Sequence, residues 1–153
     1  MKIIEATSPE HIEIARDLFR EYQQFLNVDL CFQGFEEELA SLPGKYAHPK
    51  GAILLAEHEG EIAGCVAVRP IEGETCEMKR LYVKDEFRGL AIGKKLADAI
   101  IEKARELNYQ KMQLDTLERL ETAMGIYQKL GFEKISPYYA NPLDEVVYWE
   151  LQL

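Results

Sequence analysis

The segment Arg88-Gly89-Leu90-Ala91-Ile92-Gly93-Lys94 combines residue types and spacing that suit the binding of an anion. It lies between a strand-like run and the start of a helix-like one, so free backbone N–H groups and the helix dipole converge on one spot. Glycine at 89 and 93 permits the close backbone approach a pyrophosphate needs, and Arg88, Lys94 and Lys95 add positive charge nearby. Taken alone, such a loop is equally read as an ordinary turn. It is neither a P-loop nor a dinucleotide fingerprint, because G-x-x-x-x-G-K-[ST] and G-x-G-x-x-G are both absent. The charge around it favours a ligand. From Glu77 to Arg105, eight basic residues (Lys79, Arg80, Lys84, Arg88, Lys94, Lys95, Lys103, Arg105) stand against five acidic ones (Glu77, Asp85, Glu86, Asp98, Glu102), in a chain of formal net charge −9. An acidic protein has gathered its positive charge about one loop, where a small anionic ligand fits.

Other chemistries find little footing. Cys31, Cys65 and Cys76 are odd in number and fall in no C-x-x-C spacing, so buried thiols are expected, with no disulfide framework or zinc site. His11, His48 and His58 are scattered without partners at ligand spacing, so no metal is expected. The net charge of −9 argues against nucleic acid, which is held by clustered Lys and Arg. The longest apolar stretches, Gly51 to Ala56 and Ala63 to Val68, fall far short of the roughly 18 to 20 residues that span a bilayer, so no membrane is expected. Met1 to Pro9 carries no charged leader with an apolar region behind it, and the expected location is the cytoplasm. With 153 residues, 47% of them apolar, and no repeat or linker, residues 1–153 are expected to form one domain.

The elements that must position the loop follow from periodicity. Lys2 to Ala6 reads as a short strand, and Ser8-Pro9 as a helix N-cap with proline at the first helical position. Ile12, Ala15, Phe19, Tyr22 and Leu26 then form one apolar stripe. A second short helix is predicted near Phe35 to Leu42, ending at Pro43-Gly44. Gly51 to Glu57 and Glu61 to Arg69 read as an antiparallel hairpin about Glu59-Gly60, and Thr75 to Val83 as a third strand. In that strand Cys76 and Met78 share a face while Leu81 and Val83 are out of phase by one residue, which predicts a bulge at about Lys79-Arg80. A strong helix follows to about Asn108, then a strand from Lys111 to Thr116 and a helix from Glu121 to Leu130 closed by Gly131. Strands at Phe132 to Ile135 and Val146 to Leu151 complete a β-α-α-β-β-β-α-β-α-β-β order. The fold class is α/β, with a mixed, mostly antiparallel sheet flanked by helices.

Met78-Lys79-Arg80-Leu81-Tyr82-Val83, followed by the Arg88 to Gly93 loop, resembles the acetyl-CoA-binding core of the GNAT superfamily of N-acetyltransferases. Glu121 to Phe132, ending in Tyr127-Gln128-Lys129-Leu130-Gly131-Phe132, resembles that family's late helix and its Tyr-x-x-Leu-Gly-Phe ending. The element order matches the family's fold, so the resemblance spans essentially the whole chain. Two departures stand out. Ala91 occupies a position where glycine is usual, which would strain the loop by about 1 kcal/mol or more if that position requires positive φ. Thr122 stands where many relatives carry asparagine.

The resemblance implies an acyltransferase that moves acetyl from acetyl-CoA to an amine within a ternary complex, as a monomer or a homodimer. The backbone of Leu81, Tyr82 and Val83 would pair with the pantetheine arm, and the N–H groups of Arg88, Gly89, Leu90, Ala91, Ile92, Gly93 and Lys94 would hold the pyrophosphate, with Thr122 on the cofactor side. An alkyl amine is only about one part in a thousand neutral at pH 7, so a base or a desolvating pocket is required. Glu77 is the candidate base, acting through a water; the alternative is a solvent-facing strand glutamate paired with Lys79 or a neighbouring strand. Tyr127, by its place in the family motif, is the candidate acid for the departing thiolate, although by spacing alone it reads as part of the buried face of its helix. The acceptor site in relatives is built from the first two helices and the late loop, which here points to Phe32, Phe35, Tyr138 and Tyr139; the two tyrosines equally suit a cover for the core edge. A small-molecule amine is the expected acceptor, with a protein or peptide amine, or a silent acyl-CoA-binding module, as the alternatives.

Overall fold

Ser8 opens the first helix as its type predicts, its hydroxyl oxygen accepting the His11 N–H at 3.1 Å with Pro9 in the first turn. The computed structural model describes residues 1–27 and 34–153, so Cys31 and Phe32 lie outside the described residues. The elements are β1 (Lys2–Glu5), α1 (Pro9–Leu26), α2 (Phe35–Ser41), β2 (Ala52–His58), β3 (Glu61–Glu72), β4 (Thr75–Val83), α3 (Ile92–Glu106), β5 (Lys111–Leu117), α4 (Glu121–Lys129), β6 (Glu133–Ile135) and β7 (Val146–Gln152). Short 3₁₀ turns lie at Gly44–Tyr46 and Asp85–Phe87.

The strands form one sheet in the order β1-β2-β3-β4-β5-β7-β6. Every pairing is antiparallel except β4 with β5. Both faces are covered. Val66, Val68, Met78, Met112 and Leu114 pack against Leu96 and Ile100 of α3. On the opposite face Ile53, Leu55, Cys65 and Ala67 pack against Phe19 of α1 and Phe35 and Leu39 of α2. Double-sided burial explains why β2 and β3 read as nearly unbroken apolar runs, since alternate residues each meet a different core. Each fully buried large apolar side chain contributes roughly 1.5–3 kcal/mol. Cys65 and Cys76 are buried free thiols, one in each of these cores.

Two irregularities shape the middle of the sheet. Cys65 pairs with Tyr82 and Ala67 with Lys79, so Arg80 and Leu81 together oppose Val66, and Arg80 takes φ 61°. This is the bulge that the phase break predicts, and it increases the local twist of β4. The second irregularity is a fork. β4 pairs with β5 only from Thr75–Glu77 to Lys111–Gln113, whereas β5 stays paired with β7 from Lys111 to Leu117. Beyond Glu77 and Gln113 the two parallel strands part. Among the described residues, no helix is long and apolar enough to cross a membrane.

Candidate active site

The fork opens into a cleft of about 840 Å³. Its walls are Met78 to Val83 of β4, Leu114 to Leu117 of β5, the starts of α3 and α4, and Tyr22, Phe25 and Leu26 of α1. At one end lies the basic loop. Gly89 has φ 85° and Ala91 φ 62°, and α3 begins at Ile92 with no side-chain cap and no acidic residue in its first turn. A helix leaves its first N–H groups without internal acceptors, so this bare, basic start has the chemistry to receive an anion. Ala91 therefore does occupy the left-handed conformation in which a methyl group costs about 1 kcal/mol or more.

Arg88, Gly89, Ala91, Ile92, Gly93 and Lys94 line the cleft, whereas Leu90 is 45% exposed and lies outside its lining. The Arg88 guanidinium sits 4.3 Å from the centroid of the Phe25 ring, donates from Nε to the Val83 carbonyl at 3.1 Å and pairs with Asp85 at 2.6 Å. Leu81, Tyr82 and Val83 border the opening along β4, and Thr122 borders it at the start of α4. Tyr127 of α4 is buried, lines the cleft and packs beside Phe132. Burial pushes its phenol well above the ordinary tyrosine value, so it stays protonated and able to donate.

The opposite end is built from side chains on the α1–α2 face of the sheet. Glu77 is only 2% exposed and is absent from the cleft lining. Its Oε1 accepts from Arg69 Nε at 2.9 Å and its Oε2 from the Tyr138 hydroxyl at 2.6 Å. Burial pushes its carboxyl pKa up, but the charges of Lys79 and Arg69 and the hydrogen bonds from Tyr138 and Arg69 outweigh that and hold it below the ordinary value. The solvent-facing alternative for Glu77 is thereby corrected: it is a buried glutamate paired across to β3. A role as base gains nothing from this geometry, because both oxygens are already engaged and the lowered pKa makes the carboxylate a weaker proton acceptor.

Asp115 of β5, unlike Glu77, lines the cleft. Its Oδ2 accepts from the Tyr139 hydroxyl at 2.5 Å, and its Oδ1 lies 3.8 Å from Lys79 Nζ. Asn141 donates to the Tyr139 oxygen at 2.9 Å and holds the loop by accepting the Leu143 N–H at 2.8 Å. Burial, then the adjacent Arg80 charge, outweigh the Glu77 and Asp115 carboxylates and hold Lys79 below the ordinary lysine value. Arg80 makes a two-pronged pair with Glu38 of α2, Nε to Oε2 and a terminal nitrogen to Oε1, both at 3.0 Å. Phe35 lies beneath it, 5.2 Å from ring centroid to guanidinium carbon. Phe35, Tyr138 and Tyr139 thus stand behind the cleft wall, holding the charged groups that face or flank it.

Lys79, Arg80, Asp115 and Asn141 were not singled out as site residues by sequence. A partial signal exists: Lys111, Gln113 and Asp115 alternate along one face of their strand. Such a row reads as solvated unless the covering loop is known. Among the described residues no His, Cys, Asp and Glu cluster suited to a metal is present.

Comparison with known proteins places this architecture. Residues 12–132 match the sequence model of the Acetyltransferase (GNAT) family. An uncharacterized N-acetyltransferase of Schizosaccharomyces pombe is 44% identical over 147 residues, covering 95% of this chain and 90% of that one. One from Escherichia coli is 31% identical over 131 residues, covering 84% and 77%. Among solved structures, a GNAT-family acetyltransferase of Staphylococcus aureus superposes with TM-score 0.79 at 23% identity, over 99% of this chain and 98% of that one. The PaiA N-acetyltransferase of Thermoplasma acidophilum, in complex with coenzyme A, does so with TM-score 0.75 at 18% identity over the whole of both chains. With the family's sequence pattern across most of its length and its fold throughout, the chain belongs to the GNAT family and is an N-acetyltransferase.

Proposed function

We propose that the enzyme transfers the acetyl group of acetyl-CoA to the primary amine of a small molecule by direct attack in a ternary complex. The observation that carries this reading is one cleft running from a bare, basic helix start to a buried phenol and the partly buried carboxylate of Asp115. The fit to acetyl-CoA rests on that helix start and on the unpaired stretch of β4. There the main chain of Leu81, Tyr82 and Val83 borders the fork and offers strand-like hydrogen bonds to the pantetheine arm. The loop from Arg88 to Lys94 takes the pyrophosphate, and Thr122 borders the same channel. A structural neighbour holding coenzyme A on this fold supports the assignment.

In this reading the acceptor's ammonium gives a proton to Asp115, and its nitrogen lone pair bonds to the thioester carbonyl carbon. The carbon–sulfur bond then breaks, the departing sulfur takes the Tyr127 proton, and the newly acylated nitrogen gives up its second proton to water. Asp115 and Tyr127 return to their starting states by exchange with water, so the net products are the amide, CoA thiol and one proton. Glu77 passes from base to positioning residue, fixing Tyr138 beside Tyr139. A small acceptor is favoured because the reacting groups lie deep in the cleft, with exposures of 6% for Tyr127 and 11% for the Asp115 side chain.

Free-thiol release from acetyl-CoA across amines, amino acids, polyamines and peptides tests the proposal. Amine-dependent release is expected, with kcat lowered about 100-fold or more by Tyr127→Phe while acetyl-CoA still binds by calorimetry. Release with peptides alone would favour a protein N-acetyltransferase. Tight binding without release on any acceptor would favour a silent acyl-CoA-binding module.

A further inference from the structure

We infer that the acceptor is a zwitterion, an amine with a carboxylate on the adjacent carbon, whose ammonium meets Asp115 and whose carboxylate meets Lys79. The inference rests on the acetyl-transfer reading and adds the substrate class to it. Among the described residues several ion pairs occupy this face of the sheet, and they differ in where their members lie. Arg80 is bonded to Glu38 at 3.0 Å and Arg69 to Glu77 at 2.9 Å, both at hydrogen-bond distance. The Lys79 to Asp115 separation is 3.8 Å, and this is the pair in which both members line the cleft.

Asp115 is aimed by its neighbours. The Tyr139 hydroxyl, itself held by Asn141, ties down Oδ2, and Oδ1 is the oxygen on the Lys79 side. A ligand entering between the two side chains meets a positive and a negative group a few ångströms apart. An α-amino acid carries the complementary charges at a matching spacing, about 2.5 Å from nitrogen to carboxyl carbon by ordinary bond lengths. A plain alkylammonium ion is served less well. To reach Asp115 it must approach the buried cations Lys79 and Arg80, and repulsion is strong where water is scarce. A carboxylate on the same molecule cancels that repulsion and gains a charge-assisted hydrogen bond. Near α1 and the late loop Tyr22, Leu26, Leu143 and Val146 offer surface for the acceptor's side chain, beside the polar Asn141 and Arg119, the latter donating to the Leu26 carbonyl.

The test measures thiol release with saturating acetyl-CoA on matched sets, each an α-amino acid, its carboxamide and its decarboxylated amine, across apolar, aromatic and polar side chains. The expected result is a kcat/KM at least about 10-fold higher for the amino acid than for both analogues, approaching 100-fold in the best set. Lys79→Met should bring that ratio to near one, and Lys79→Arg should restore part of it. An amine or amide used as well as its amino acid by the wild-type enzyme would overturn the zwitterion and leave acetyl transfer standing. So would a preference that survives Lys79→Met in a variant that still binds acetyl-CoA. No release from any member of any set would count against both readings.

Discussion

Glu77 and Asp115 are carboxylates on neighbouring strands, and what holds their oxygens divides their tasks. Glu77 is locked between Arg69 and Tyr138, whereas Asp115 is tied by one oxygen and faces the cleft beside Lys79 with the other. Because the folded state holds Glu77 below its ordinary value of 4.5, its contribution to stability is complete above that pH and is lost as pH falls through the lower folded value. Glu77→Gln should therefore destabilise by about 3 kcal/mol at neutral pH, where it leaves Arg69 poorly compensated. The gap to wild type should narrow as pH falls below 4.5, as read by urea denaturation across a series of acid pH values. Tyr127 shows the opposite shift. Its raised pKa keeps the proton available, so loss of the hydroxyl should appear in kcat rather than in acetyl-CoA affinity.

At the scale of elements, the loop into α3 and the bulge of β4 each put a non-glycine residue at positive φ, Ala91 at 62° and Arg80 at 61°. For Ala91 the consequence is local. Ala91→Gly should change stability by no more than about 0.5 kcal/mol, since relief of strain is offset by the added freedom of the unfolded chain. Ala91→Val should cost about 1–2 kcal/mol and raise the KM for acetyl-CoA, because a β-branched side chain is poorly tolerated there. Urea midpoints and acetyl-CoA titrations measure both effects. The bulge was legible because a strand's two-residue period makes any insertion visible as a phase break between Met78 and Leu81. The depth of the fork was not, since strand residues carry no mark of where a parallel partner departs.

For the molecule as a whole, the cleft exists because a sheet covered on both faces is pried open in its middle. Gly64 helps to set that opening. A Cβ there would stand 2.4 Å from the Tyr82 carbonyl oxygen and 3.2 Å from Leu96 Cδ1, a backbone and a core neighbour that cannot both yield. Gly64→Ala should destabilise by about 1–3 kcal/mol, and it should raise the KM for acetyl-CoA by displacing the stretch of β4 that carries Leu81 to Val83. Thermal denaturation and steady-state kinetics provide the two readouts.

By itself the sequence determined the order and type of the elements, the bulge, the basic glycine-containing loop that leads into α3 and the place of Tyr127 on the buried face of α4. Those features are written in local periods of two and 3.6 residues and in short motifs whose chemistry does not depend on distant neighbours. The tertiary structure alone decided which carboxylate faces the cleft. Glu77 and Asp115 are alike as strand residues, and only the folding of the 136–145 loop over the sheet puts Tyr138 on one and Tyr139 on the other. Charge pairing across strands depends on register and on covering loops, so the burial of Lys79 beside Asp115, the contact that points to the acceptor, follows from long-range packing that no local pattern encodes.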